Sequence, residues 1–192
     1  MLSKEEILNI FQKTGVLKEG HFLLSSGLHA DKYLQCASVL KYPQYAHRIG
    51  VSIAELWADR EIDVVVGPAL GGILVSYIVA QSLSVRSIFT ERKQGEMKLR
   101  RNFKLDRRER VLVVEDVVTT GGSVHEALKV IEEYDVEIVG ISPIVDRSGG
   151  QAGFDYDYQP LIELEVESYP AANCPLCKKG IPLTKPGSRK EI

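Results

Sequence analysis

The sequence predicts an α/β protein with a central parallel sheet flanked by helices, and three observations carry that expectation. Between residues 62 and 145, short apolar runs alternate with stretches of helical periodicity, the pattern of strand–helix–strand units joined by right-handed crossovers. Val111-Leu112-Val113-Val114 is apolar at consecutive positions, as a strand covered on both faces requires. Glycine-rich turns follow two of the strands, at the carboxyl ends where open α/β sheets bind their ligands.

The elements follow in order. Ile7, Leu8, Ile10 and Phe11 share one face of a short N-terminal helix. Residues 21–39 mix strand-like and turn-like signals and resolve into no element. Tyr45 to Arg60 reads as an amphipathic helix with Ile49, Ile53, Leu56 and Trp57 facing inward. A strand at 62–66, a helix at 73–83 and strands at 85–89 and 111–114 come next. A helix at 123–134 and a strand at 137–145 complete the alternation. In that last helix Ser123 and Glu126 form a capping-box pattern, and Val124, Ala127, Leu128, Ile131 and Tyr134 repeat at helical spacing.

The 192 residues suit one domain with a sizeable core. A net charge of −2 offers no general basic surface for nucleic acid. No apolar run is long enough to span a bilayer, and the charged N-terminus is unlike a signal peptide. Three cysteines fit a reducing cytosol better than a disulfide framework. The expectation is a soluble cytoplasmic protein without membrane or nucleic-acid partners.

The chemistry concentrates in Val111 to Ser123. Glu115 and Asp116 stand where the buried strand is expected to end, and carboxylates there need a reason for their desolvation. Val117 and Val118 lead into Thr119-Thr120-Gly121-Gly122-Ser123, small residues that open a helix, where backbone amides and the helix dipole favour an anion. No Gly-Lys-Ser/Thr follows, so this is no Walker A loop, and the dinucleotide glycine fingerprint is absent. Carboxylates for sugar hydroxyls or a metal, with a phosphate cradle beside them, describe a ribose-5-phosphate site. Gly67-Pro68-Ala69-Leu70-Gly71-Gly72 follows the 62–66 strand and also allows close backbone approach. Asp146-Arg147 ends the 137–145 strand, and an Arg there can pair bidentately with a carboxylate. Residues 91–110 hold nine Lys or Arg against four Asp or Glu, in a gap long enough to be a functional loop or a solvated charged hairpin.

Val111 to Ser123 resembles the ribosyl-diphosphate-binding signature of type I phosphoribosyltransferases: an apolar strand, an acidic pair, then Thr-x-Gly-Gly-Ser/Thr. The resemblance extends over nearly the whole chain and is closest to the orotate branch. It implies a core over about 43–150 and a hood built from the N- and C-terminal segments. It implies that Glu115 and Asp116 serve the ribose hydroxyls of 5-phosphoribosyl 1-diphosphate and that Thr119 to Ser123 hold its 5-phosphate. Ala69, Leu70 and Gly71 would belong to the diphosphate loop, where many orotate enzymes carry Lys in place of Gly71. Arg92 and Lys93 match the pair that opens the family's mobile loop. That loop reaches the partner's active site in a homodimer, which implies a shared 91–110 segment here. Beyond the pair the match degrades, so Lys98, Arg100 and Arg101 are further candidates for diphosphate. Arg147 matches the orotate-binding Arg, with Thr119 as second contact. Tyr33 would stack on the pyrimidine from a hood segment in which Ser25 replaces the family's Lys.

The resemblance implies transfer of phosphoribose to orotate, with Mg²⁺ on the substrate diphosphate and possible help from Asp116. Purine phosphoribosyltransferases of the adenine or xanthine type, and regulators that sense phosphoribosyl diphosphate, are the alternatives. Arg147 argues against the first and the lack of spare length against the second. Cys174-Pro175-Leu176-Cys177 invites a zinc reading. A structural site needs a second ligand pair, however, and His21, His29, His47 and His125 show no ligand spacing. A turn in the tail, ahead of the basic stretch from Lys178 to Lys190, is expected instead.

Overall fold

The computed structural model describes residues 1–24 and 26–186; Ser25 and the end of the basic tail, from residue 187, lie outside the described residues. Helix α1 (Lys4–Thr14) begins with a capping box, Ser3 Oγ accepting the Glu6 amide and Glu6 accepting the Ser3 amide. The ambiguous stretch that follows folds as an antiparallel hairpin, β1 (Leu17–Leu23) and β2 (His29–Leu34), with short helix α2 (Ala37–Leu40) after it. Helix α3 (Pro43–Leu56) starts two residues earlier than its periodicity predicts, because Pro43 suits the first helical turn, and stops at the Trp57 C-cap.

The core alternates as expected: β3 (Val64–Pro68), α4 (Gly71–Leu83), β4 (Arg86–Lys93), β5 (Glu96–Leu99), β6 (Arg110–Val118), α5 (Gly122–Ile131), β7 (Glu137–Asp146) and the short β8 (Ile162–Glu163). The six strands lie in the order β5-β4-β3-β6-β7-β8, with every pairing parallel except β4–β5. Alternate residues supply the two faces. Val65, Leu112 and Val114 pack with α1, α3 and α4, whereas Val64, Val66, Val111 and Val113 pack with α5. The hairpin β1–β2 and strand β9 (Ser168–Tyr169) form a separate antiparallel sheet. A 3₁₀ turn (Ala171–Asn173) and helix α6 (Pro175–Lys178) close the described chain.

Three expectations are corrected, and the open choice between a loop and a hairpin after residue 89 is resolved. Glu115 and Asp116 lie within β6, which continues to Val118, because β7 offers pairing partners out to Asp146. Ser123 and Glu126 form no capping box: α5 is capped by Gly121 in the left-handed region, and Glu126 is taken by Arg92. The gap after residue 89 is largely a β4–β5 hairpin, held by buried Met97 and Leu105 and by Phe89 edge-on to Phe103. Cys174 and Cys177 are no isolated tail turn, since they meet His21 and His29.

Candidate active site

The sheet order places a topological switch between β3 and β6. From β3 the chain crosses by α4 to β4 on one side, and from β6 by α5 to β7 on the other. The crevice at the carboxyl ends of such a strand pair is the natural ligand site of an open α/β sheet. There the first glycine of α4 meets the acidic pair of β6. A Cβ built on Gly71 would stand 2.4 Å from Asp116 Cγ, so only glycine leaves that carboxylate its place.

The acidic pair is held by backbone. The Asp116 amide donates to Glu115 Oε1 and the Val117 amide to Asp116 Oδ1, each at 2.9 Å. Glu115 is only 7% exposed. Burial, reinforced by the Asp116 charge, pushes its pKa up to about 9, against the Gly72 and Asp116 amides that favour the carboxylate. Burial raises Asp116 as well. Such perturbed carboxylates mark functional sites more often than structural ones.

Beyond the pair, Thr119 to Ser123 wrap a pocket of ≈ 210 Å³ whose walls include Glu115, Arg92 and Glu126. Gly121 sits at φ +77°, and a Cβ there would also meet Phe154 at 2.9 Å. That conformation turns the chain so that α5 starts at the pocket, with first-turn amides that have no acceptor within the helix. Arg92 reaches the pocket rim from β4 and donates from Nε and Nη2 to the Glu126 carboxylate, both at 3.0 Å. Lys93 points from the other face of the hairpin, as strand alternation requires, and stays out of this pocket. Lys98 pairs with Glu96, and Arg100 and Arg101 both pair with Glu91. Ala69 donates its amide to Thr90 O at 2.7 Å, the Ala69–Leu70 peptide is cis, and Leu70 is 83% exposed.

Arg147 follows β7, its amide donating to Val118 O at 2.8 Å. Its Nε is buried without a hydrogen-bond partner among the described residues, and desolvation lowers its pKa. Asp146 does not pair with it; that carboxylate accepts the Ser148 amide at 2.7 Å and shapes the turn. Tyr33 on β2 and Cys36 are neighbours of Arg147. The Cys36 thiol is pushed up by burial and by Asp116. Tyr33, Cys36, Arg147 and the acidic pair therefore share one neighbourhood, with the β1–β2 hairpin and the chain after it on one side and the β6–β7 ends on the other. Sequence reasoning missed Cys36, Phe154 and the Arg92–Glu126 pair. Arg92 and Glu126 each carried a signal, Arg92 for diphosphate and Glu126 for a helix cap, but neither signal pointed to their pairing.

A family model for the phosphoribosyl transferase domain matches residues 37–170. The chain belongs to the phosphoribosyl transferase family. Among its relatives in that family, the orotate phosphoribosyltransferase of Caldicellulosiruptor saccharolyticus is 54% identical over 189 residues, 98% of this chain and 99% of that one. The orotate phosphoribosyltransferase of Thermotoga maritima is 49% identical over 95% of this chain and 98% of its own. The fold matches the Mycobacterium tuberculosis orotate phosphoribosyltransferase solved in complex with 5-phospho-alpha-D-ribosyl 1-diphosphate. There the TM-score is 0.65 at 25% identity, covering 83% of this chain and 94% of that one.

Proposed function

We infer that this chain transfers phosphoribose from 5-phosphoribosyl 1-diphosphate to orotate, giving orotidine 5-monophosphate and pyrophosphate in pyrimidine synthesis. The observation that carries the choice of base is Arg147. A buried Nε without a partner among the described residues calls for an acceptor, and a planar carboxylate on the base satisfies a guanidinium fork in two places. Thr119 adds a second contact from the turn after β6, and Tyr33 offers its ring from the hood.

The donor spans the two turns. Glu115 and Asp116 accept from the ribose hydroxyls, and the amides and hydroxyls of Thr119 to Ser123, with the backbone of Val117 and Val118, hold the 5-phosphate. Ala69, Leu70 and Gly71 face the diphosphate. Breaking the anomeric C–O bond sends its electron pair out with the diphosphate and leaves positive charge on the ribose until a ring nitrogen of orotate, its proton given up to solvent, bonds to C1. Fixed charges and amides around the leaving group are therefore the main catalytic means available. Mg²⁺ fits this donor set: Asp116 Oδ2 is outside the Val117 hydrogen bond, and Mg²⁺ takes few carboxylates and completes its shell with phosphate oxygens and water. Bound to the diphosphate, it would neutralise leaving-group charge.

Arg92 is poised at the rim, where substrate phosphate competes with Glu126 for its guanidinium. Lys93, turned away from its own pocket, suits a neighbouring subunit's site, so the reading includes a homodimer that shares the 91–110 segment. An exposed apolar stripe beside the site, Leu70, Leu74 and Tyr77, supports such an interface. No helix among the described residues is long and apolar enough to cross a membrane. Three free cysteines suit a reducing cytoplasm.

The deciding experiment is turnover followed by loss of orotate absorbance, with Mg²⁺ and the donor, beside a panel of purines. Orotate consumption dependent on both is expected. Turnover with a purine alone would overturn the choice of base.

A further inference from the structure

We propose that His21, His29, Cys174 and Cys177 form a tetrahedral zinc site that fastens the C-terminal segment to the β1–β2 hairpin. Their four donor atoms lie within 4.8 Å of one another, although the ligands come from β1, β2 and the start of α6. His21 Nε2 stands 2.8 Å from His29 Nδ1, 3.5 Å from Cys174 Sγ and 3.7 Å from Cys177 Sγ. Cys177 Sγ is 3.3 Å from His29 Nδ1. A zinc tetrahedron with ordinary Zn–N and Zn–S bonds has edges of about 3.3–3.8 Å. Of the four edges given, three fall in that range and the His–His edge needs to open by only about half an ångström, while the remaining two edges of the tetrahedron are no longer than 4.8 Å.

The surroundings favour a cation over a simple hydrogen-bonded cluster. His21 Nδ1 hydrogen-bonds the Ile181 carbonyl at 2.7 Å, which makes Nδ1 the protonated nitrogen and leaves the Nε2 lone pair facing the cluster. A single proton between the two rings would satisfy that pair alone and would leave both sulfurs aimed at the same point. His21, His29 and Cys174 are 3%, 6% and 0% exposed, a poor place for unpaired polar groups. Two thiolates and two neutral imidazoles bring net neutrality with one divalent zinc, and this soft donor set discriminates against Mg²⁺ and Ca²⁺. With four protein ligands no position is open to substrate, so the site is structural.

Its location gives it a task. Strand β9 pairs with β2 over only two residues, and Thr184 adds two backbone hydrogen bonds to β1. A metal joining Cys174 and Cys177 to both strands of the hairpin closes this thinly bonded region into one unit, and binding free energy becomes folding free energy. Spacing hides the site in the sequence. A hairpin turn brings His21 beside His29, and the Cys-x-x-Cys pair lies more than 140 residues away.

The test is metal analysis of the reduced full-length protein, with Co²⁺ exchange as a spectroscopic readout. About one Zn²⁺ per chain is expected, lost in Cys177→Ser. The cobalt form should show the intense visible bands of a tetrahedral site together with thiolate charge transfer. Wild-type protein, which avoids any folding defect of the variant, should melt at lower temperature after zinc is stripped and recover when zinc is restored. No stoichiometric zinc uptake by the reduced wild-type chain, an octahedral cobalt spectrum, or equal zinc content in Cys177→Ser would overturn the proposal. So would a melting temperature indifferent to stripping.

Discussion

Gly71 lies against Asp116: a Cβ at position 71 would fall 2.4 Å from the Asp116 carboxyl carbon and 2.5 Å from Oδ2. The two residues, one at the start of α4 and the other on β6, lie 45 positions apart, and their contact is where the proposed diphosphate loop meets the proposed ribose site. Gly71→Ala should therefore displace the carboxylate and raise the KM for phosphoribosyl diphosphate about tenfold or more, a loss of roughly 1.4 kcal/mol. Thermal stability should change little by comparison. Steady-state kinetics beside a melting curve checks this, and an unchanged donor KM would separate the two turns functionally.

Glu115 sets a pH dependence. Its pKa is pushed up to about 9 in the ligand-free fold from an ordinary value of 4.5. The folded protein keeps a proton that the unfolded chain releases, so the residue costs stability increasingly as pH rises from about 4.5 to about 9. Glu115→Gln should melt higher than the parent, by a margin that grows over that window, while losing donor affinity. A margin independent of pH would contradict the burial argument. Donor binding that engages the carboxylate should also release protons near neutrality, seen as a calorimetric enthalpy that varies with buffer.

At the other end of the sheet, Arg110 holds Asp63 through hydrogen bonds of 2.8 Å to both carboxylate oxygens, and Asp63 falls to about 2. Its contribution is present above the ordinary value of 3.8 and is lost as pH falls through about 2. Asp63→Asn should lower stability at neutral pH and narrow its difference from the parent on acidification. Acid titration of the melting temperature reads this directly, and a constant difference would count against it.

A shared active site predicts complementation. At donor concentrations well below the variants' KM, Asp116→Asn and Lys93→Ala chains should each show little activity, yet mixing them through a dissociation cycle should restore about a quarter of parental activity, because half the dimers carry one intact site. Activity that stays at the level of the separate variants would confine each site to one chain.

Much of this was legible in the sequence because its causes are local. Apolar runs such as Val111 to Val114 mark buried strands, and Thr119 to Ser123 admit few conformations other than a tight turn into a helix. What escaped depends on distant partners. β6 runs past its acidic pair because β7 is there to pair with it, and Glu126 leaves the expected cap because Arg92 reaches it from β4. The hairpin at 17–34 was unreadable because its second strand, His29-Ala30-Asp31-Lys32-Tyr33-Leu34, shows no simple alternation; its pattern answers to β9 and the cysteine pair as well as to β1. Arg147 was picked out by position, but its unpartnered Nε is visible only in three dimensions.

The most direct test of the account is a crossed pair of variants measured against both substrates. Arg147→Ala should raise the orotate KM by about 10- to 100-fold, as loss of a buried charge-assisted pair does, and leave the donor KM nearly unchanged. Asp116→Asn should do the reverse. Equal losses for both substrates in both variants would contradict the division of the crevice into a donor side at the acidic pair and a base side at Arg147.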